Sequence, residues 1–329
     1  MAILVPGGAG YIGSHIVHEL LDRGEEVVVA DNLQTGHRAA VHPDAEFYQG
    51  DIRDRAFLDS LFGRKRFVAV VHFAANSLVG ESVRNPLKYY DNNLGGAIAL
   101  LDVMLRHGVH HIVFSSSAAA YGEPENIPIL EDDRTLPVNP YGETKLAVEK
   151  LLRWLSRATP LRHAALRYFN AAGAHSRGDI GEDHSPETHL IPLVLQVANG
   201  KCADIGIFGD DYPTPDGTCV RDYIHVADLA DAHIRAMRHL ASGGSGGVFN
   251  LGNGVGFSVR EVVEKARKVT GHPIPARIRP GRKGDPAQLV ASNAKSEREL
   301  GFKPSHSGLE EIIASAWNWH KRHPNGFAG

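Results

Sequence analysis

The stretch "AILVPGGAGYIGSHIVHELLDRGEEVVVADN", residues 2–32, decides the fold. Four apolar residues, Ala2–Val5, run directly into a glycine-rich turn in which Gly7, Gly10 and Gly13 stand in GxxGxxG spacing. From Ile12 to Arg23, the apolar residues Ile12, Ile16 and Leu20 recur every fourth position and share one helix face. A second apolar run, "EVVVA" (26–30), ends on Asp31. Strand, glycine turn, helix, strand and terminal acid in this order form a dinucleotide-binding unit. The glycines permit the tight turn and let backbone N–H groups approach a pyrophosphate at the helix N-terminus. A carboxylate at Asp31 hydrogen-bonds the adenosine ribose hydroxyls and repels a 2′-phosphate, which favours NAD over NADP. Pro6 is unusual at the strand–turn passage because proline has no N–H to donate, although a strand end tolerates it.

Further apolar runs follow at 67–75, 111–117, 164–170 and 247–252. They are rich in Val and Ile and lack polar alternation, as strands buried on both faces of a parallel sheet do. The expected fold is therefore α/β, a Rossmann-type doubly wound parallel sheet joined to a smaller, irregular α/β C-terminal part. The rhythm breaks after about residue 170. "AHSRGDIGEDHSPETH" and "FGDDYPTPDGTCVRDY" are polar and long for simple connections. The expected division is residues 1–170 for NAD, with a later crossing segment near 221–252, and 171–329 for the substrate. "SVREVVEKARKVTG" predicts a helix opened by a Ser258–Glu261 capping box and closed at Gly271. "SGGSGG" (242–247) reads as a loop.

The chain has 329 residues, 43% hydrophobic and 22% charged, with a formal net charge of -3. This balance carries no electrostatic footprint for nucleic acid or a membrane surface. Cys202 and Cys219 suggest no disulfide framework, and a reducing compartment fits them. The N-terminus lacks a secretory pattern and no run of eighteen apolar residues occurs, so a cytoplasmic protein is expected. Arg64, Lys65 and Arg66 read as a solvated turn, and "HGVHH" (107–111) as a helix end. In "GEDHSPETH", the spacing of Glu182, Asp183, His184, Glu187 and His189 matches no standard zinc pattern, so no metal is expected.

"NPYGETKLAVEK" (139–150) carries the chemistry. Tyr141 and Lys145 are four residues apart and share a helix face. An ammonium beside a phenol, helped by a positive nicotinamide ring, stabilises the phenolate and lowers its pKa toward neutrality. Such a tyrosine can take a hydroxyl proton while hydride leaves the same carbon. Ser117, at the end of a strand, can orient the same oxygen.

The GxxGxxG turn, "FSSSAAAYGEP", "YGETK", "LRYFNAAGAH", "IFGDDYPTPDGTCVRDYIHVADLADAH", "FNLGNG" and "GDPAQLVAS" together resemble the extended short-chain dehydrogenase/reductase family, from residue 2 to about 320. Within it the resemblance is to the branch that epimerises UDP-sugars at C4. It implies catalysis by Ser117, Tyr141 and Lys145, and a homodimer pairing helices near 87–107 and 143–157. It places Tyr11, Ile12, Asp31, Asn32, Asp51, Ile52, Phe73, Ala74, Ala75, Asn92, Tyr141, Lys145 and Phe169, with the three glycines, on NAD. Asn170, His189, Leu190, Phe208, Arg221, Tyr223, Arg282, Asp285 and Leu289 fall, with Ser117, at UDP-sugar positions. Arg221 and Arg282 suit diphosphate oxygens, Phe208 a uracil face and Asp285 ribose hydroxyls.

Related dehydratases carry an Asp-Glu pair just after the Ser/Thr, and related decarboxylases a nearby Glu. Here Ala118, Ala119 and Ala120 follow Ser117 and can serve neither as acid nor as base. Oxidation followed by re-reduction remains, and the resemblance implies redox-neutral exchange of UDP-glucose and UDP-galactose. Three departures stand out: Ser77 where some members have lysine, His189 where asparagine is common, and Leu289 at the position that gates the sugar 2-substituent. A UDP-N-acetylglucosamine or UDP-pentose epimerase therefore stays open, as does a non-catalytic dinucleotide sensor.

Overall fold

The structure, a computed structural model, describes residues 1–282, 285–306 and 308–327; Gly284, which opens the "GDPAQLVAS" stretch, lies outside them. Along the chain come β1 (Ala2–Pro6), α1 (Tyr11–Asp22), β2 (Val27–Asp31), β3 (Glu46–Gln49), α2 (Arg55–Arg64) and β4 (Phe67–His72). Next are α3 (Val79–Arg84), α4 (Pro86–Tyr89), a π-helical turn (Tyr90–Gly95), α5 (Gly96–Arg106), β5 (His111–Ser117), α6 (Pro140–Ala158) and β6 (Arg162–Tyr168). The second half holds β7 (Asn170–Ala172), α7 (Leu190–Ala198), β8 (Ile205–Phe208), β9 (Val220–His225), α8 (Val226–Ala241), β10 (Gly247–Leu251) and β11 (Gly256–Ser258). It ends with α9 (Val259–Thr270), β12 (Ala276–Arg279), β13 (Gln288–Leu289), α10 (Ala294–Leu300) and α11 (Leu309–Arg322).

Seven parallel strands form the main sheet in the order β10-β6-β5-β4-β1-β2-β3. The strand order reverses at β1, which is where open α/β sheets bind ligands. Strand periodicity divides the core. Ile3 and Val5 pack with Ile16, Leu20, Leu229 and Ile234 on one face, whereas Ala2 and Leu4 pack with Leu58, Leu100, Val148 and Leu152 on the other. Each buried Leu or Ile side chain contributes about 1.5–3 kcal/mol of transfer free energy. Helix α8 and strand β10 belong to this layered core although they come late in the chain.

A second, smaller sheet centres on β9, flanked by β11 and β13, with β7 pairing its far end through Asn170↔Tyr223 and Ala172↔His225. Strands β8 and β12 form a separate ribbon. Helices α7, α9 and α11 bury Val194, Leu195, Val262, Ile312 and Trp317 against this part. The Ser258–Glu261 capping box is formed, and Gly271 closes α9 in the left-handed region at φ 75°.

Two local features depart from the sequence reading. Strand β3, "EFYQ", is a short edge strand with an exposed end, so it lacks the continuous apolar run that marks the central strands. The stretch read as one helix over 87–107 is interrupted by the π-turn at 90–95, which leaves Asn92 and Asn93 buried. Pro6 occupies the last ladder position of β1, where its carbonyl accepts hydrogen bonds from Phe73 N (2.8 Å) and Ala74 N (3.0 Å).

Candidate active site

A cleft of about 500 Å³ opens beyond the carboxyl ends of β1, β2, β4 and β5 and reaches the β9 sheet. Gly7, Gly10, Tyr11, Ile12 and Gly13 form its floor at one end. Gly7 has φ +82°, and a Cβ on it would lie 2.4 Å from Ala74 N; a Cβ on Gly13 would lie 2.2 Å from Gly7 O. Both positions need glycine for the turn to close against helix and strand. Gly10 differs, since the nearest protein atom to a Cβ there is Gly7 O at 3.4 Å. Close approach of a ligand is the reason that remains for a glycine at this point. Helix α1 starts with no acidic residue and no side-chain cap, so its positive dipole end is free for a pyrophosphate.

Asp31 stands at the tip of β2 and accepts hydrogen bonds from Ala9 N (3.0 Å) and Leu33 N (2.9 Å). Burial pushes its pKa up, and those two N–H groups oppose the shift. Asn32 donates to Asp51 at 3.0 Å, and Arg53 holds the Asp51 carboxyl far below the usual range. Ile52, Phe73, Ala74, Ala75, Asn92 and Phe169 also line the cleft. Asn92 and Asn93 are fixed by side-chain bonds: Asn92 to Asn93 at 3.0 Å, and Asn93 to Thr144 Oγ1 at 3.1 Å and Asn76 O at 3.0 Å. Acid, glycine cradle and helix N-terminus together fit a dinucleotide.

Helix α6 starts at the same cleft because Asn139 caps it, accepting a hydrogen bond from Gly142 N at 2.9 Å, with Pro140 in its first turn. Tyr141 and Lys145 therefore project from its first turns into the cleft, facing Ser117 at the end of β5. Lys145 Nζ donates to Ser115 O at 2.7 Å and lies 5.8 Å from the Tyr141 ring centre. Burial sets the pKa pattern of this pair when no dinucleotide is bound. Burial raises the Tyr141 phenol, offset in part by its hydrogen bond with Ser117, and burial lowers Lys145 to about 7. Without a bound dinucleotide, burial thus biases both groups toward their neutral forms.

At the other end of the cleft lie Asn170, His189, Arg221, Asp285 and Leu289. Arg221 pairs with Asp285 at 2.5 Å, so the cation and the acid assigned to different parts of a nucleotide here satisfy one another. Four residues placed at the substrate by sequence do not line the cleft. Tyr223 is buried in the C-terminal core, Leu190 packs against that core, and Phe208 at the end of β8 lies under the Arg282 guanidinium at 3.9 Å. Conversely, Gln34, Thr35, Asn76, Ser115, Tyr168, Glu182 and His184 do line it, and sequence reasoning passed them over. The "SSS" run held a hint of Ser115; Asn76 is placed by the π-turn and had no local signal. Glu182, His184, Glu187 and His189, set aside on spacing, are gathered so that their ligand atoms lie within 4.8 Å of one another.

A doubly wound sheet whose switch-point cleft joins a dinucleotide cradle to a Ser–Tyr–Lys set defines a dinucleotide-dependent enzyme of the short-chain dehydrogenase/reductase type. The chain belongs to the NAD dependent epimerase/dehydratase family, whose model matches residues 3–252. It is 60% identical over 328 residues to the UDP-glucose 4-epimerase of Halalkalibacterium halodurans, covering 100% of this chain and 98% of that protein. A crystal structure of a UDP-glucose 4-epimerase superposes with TM-score 0.98 at 56% identity, covering 99% of each chain. The UDP-glucose 4-epimerase from Bifidobacterium longum, in complex with NAD+ and UDP, superposes at 0.94 with 42% identity, covering 99% of this chain and 100% of that one.

Proposed function

We infer that the protein is an epimerase interconverting UDP-glucose and UDP-galactose with tightly held NAD. The observation that carries this is one continuous cleft: it joins the Gly7–Gly13 cradle and Asp31 to Tyr141 and Lys145, and these to Arg221 and Asp285. Curated relatives matched along the whole chain at 48–60% identity are UDP-glucose 4-epimerases, whereas a UDP-N-acetylglucosamine 4-epimerase superposes at 29% identity, which favours this reading over other UDP-sugars or a non-catalytic sensor. Residues 1–170 with the 221–252 segment hold the dinucleotide in this proposal, and 171–329 hold the UDP-sugar.

Bound NAD supplies a hydride acceptor and donor for C4 of the sugar. Tyr141 takes the proton of the 4-hydroxyl, and Ser117 holds that oxygen by a hydrogen bond. Lys145, anchored to Ser115 O, favours the phenolate when it carries its proton. Ala118, Ala119 and Ala120 present no acid or base to the neighbouring carbons, so the 4-keto sugar is not drawn into elimination. Arg221 exchanges Asp285 for the diphosphate, and Asp285 is released toward the ribose. The sugar end is held more loosely than the nucleotide, turns over, and receives its proton back from Tyr141. The net change is one inverted carbon.

Mixing the purified protein with UDP-galactose and following UDP-glucose without added reductant tests the reading. Interconversion with no net NADH supports it, while no conversion or steady NADH accumulation overturns it. UDP-N-acetylglucosamine run in parallel reads the role of Leu289. We also assign a homodimer, supported by exposed Leu87 (81%), Ile98 (42%) and Trp154 (59%) on α4, α5 and α6, and a cytoplasmic location, supported by two free cysteines. Among the described residues no helix is long and apolar enough to cross a membrane.

A further inference from the structure

We propose that Glu182, His184, Glu187 and His189 form a binding site for one divalent transition-metal ion of the zinc class, built into the wall of the cleft. The four side chains come from a single loop of eight residues, between the 170–172 strand and α7, in the order E-x-H-x-x-E-x-H. That spacing is not a standard motif, and only the folded loop brings the groups together. His184 Nδ1 lies 3.2 Å from Glu182 Oε1 and 3.6 Å from Glu187 Oε2. His189 Nδ1 lies 2.8 Å from Glu182 Oε1 and 3.0 Å from Glu187 Oε1. Four ligands at about 2.0–2.1 Å from a tetrahedral zinc stand roughly 3.3–3.4 Å apart. These four imidazole–carboxylate separations bracket that edge, and all four donors lie within 4.8 Å of one another, so an ion draws the wider edges in without a rebuilt loop.

Charge and donor type point the same way. The Glu182 and Glu187 side chains are only 5% and 6% exposed, and two carboxylates so deeply buried need a counter-charge of two. Two imidazolium protons supply it in one state; one divalent ion with two neutral imidazoles supplies it in the other, and loading releases those two protons. His184 Nδ1 is buried between the two carboxylates, the position a ligand atom takes around a shared ion. Two imidazole nitrogens with two carboxylates suit zinc-class ions, whereas calcium and magnesium prefer all-oxygen shells.

The surrounding frame is rigid. Glu187 Oε1 also accepts Thr188 N at 2.7 Å and His189 N at 2.8 Å. The loop is pinned by Trp319, whose Nε1 donates to Glu182 O at 3.3 Å and whose ring would lie 2.3 Å from a Cβ at Gly181. His189 caps α7 at the cleft. The ion thus ties the start of α7 to the loop and sets the shape of the cleft wall.

The test is metal analysis and titration of the intact, dinucleotide-bound protein after chelator treatment. One equivalent of zinc per chain should survive gel filtration, and cobalt should produce the intense visible bands of a tetrahedral site. Magnesium should do neither. Second-shell changes around zinc already cost 10–100-fold, so removing a ligand in Glu187→Gln or His184→Asn should weaken zinc by more than about a hundredfold. Circular dichroism checks that each variant is folded. Failure of the wild-type protein to retain zinc, or retention at equal affinity in folded variants, overturns the proposal; the first leaves the cage held by protons alone, and the second puts the ion elsewhere.

Discussion

Tyr141 and Lys145 are each held where burial opposes charge, and this has a measurable cost. Lys145 titrates near 7 in the folded protein against 10.5 when exposed. Between those values the unfolded chain binds a proton that the native state has given up, so this residue makes stability rise with pH from about 7 to 10.5. Below pH 7 both states are protonated and the slope vanishes. In dinucleotide-stripped protein, the denaturation midpoint of wild type should gain on that of Lys145→Met as pH rises from 7 to 9; parallel curves would remove the assignment. Tyr141→Phe deletes the proposed proton acceptor without touching the glycine turn. It should lower turnover by about 10²–10⁴-fold while the denatured protein still releases one NAD per chain. The glycines separate two roles. Gly13→Ala collides with Gly7 O and should destabilise the fold, whereas Gly10→Ala meets nothing closer than 3.4 Å. The latter should fold normally and lose dinucleotide, which thermal melts and bound-NAD content distinguish.

At the scale of elements, the position of α6 matters most, because it carries both Tyr141 and Lys145, the residues proposed to react. The ties that hold it include the Asn139 cap, Thr144 to Asn93, Lys145 to Ser115 O, and a buried ion pair between Glu149 and Arg167 of β6. In that pair Arg167 Nε reaches Glu149 Oε1 at 2.9 Å and Nη2 reaches Oε2 at 2.6 Å, with the side chains 5% and 4% exposed. Removing one partner leaves an uncompensated buried charge, so Arg167→Leu should cost about 3–5 kcal/mol in urea unfolding. The double change Glu149→Leu with Arg167→Leu should recover most of the loss, because the desolvation penalty disappears with the charge. If both variants were equally destabilised, the pair would be contributing by shape alone.

At the scale of the molecule, the sheet faces are covered but the outer side of the α4–α6 layer keeps large apolar side chains in water. A second copy of the same layer covers them in the proposed dimer. Light scattering should return twice the 35.7 kDa chain mass, and Leu87→Glu combined with Trp154→Glu should return one chain mass with the fold retained. A monomer in the unaltered protein would reject this assignment.

Residues 2–32 alone make the dinucleotide cradle legible, because its signals are local: an apolar run, glycines at fixed spacing and an acid at the next strand end. The Tyr141–Lys145 pair is legible for the same reason, being set by one helical turn. The three alanines after Ser117 are legible too: the positions where related dehydratases carry an acid pair offer neither acid nor base. What needed the tertiary structure depends on distant chain segments meeting. The pairing of Arg221 with Asp285, the withdrawal of Tyr223 into a core and the inward turn of Asn92 and Asn93 follow from packing between elements, for which neighbouring residues carry no code. The same holds for protonation, because the neutral bias on Tyr141 and Lys145 comes from burial by the whole fold. The loop Glu182–His189 shows the difference most clearly: its spacing argued against any common site, and only its fold put two imidazoles and two carboxylates around one point.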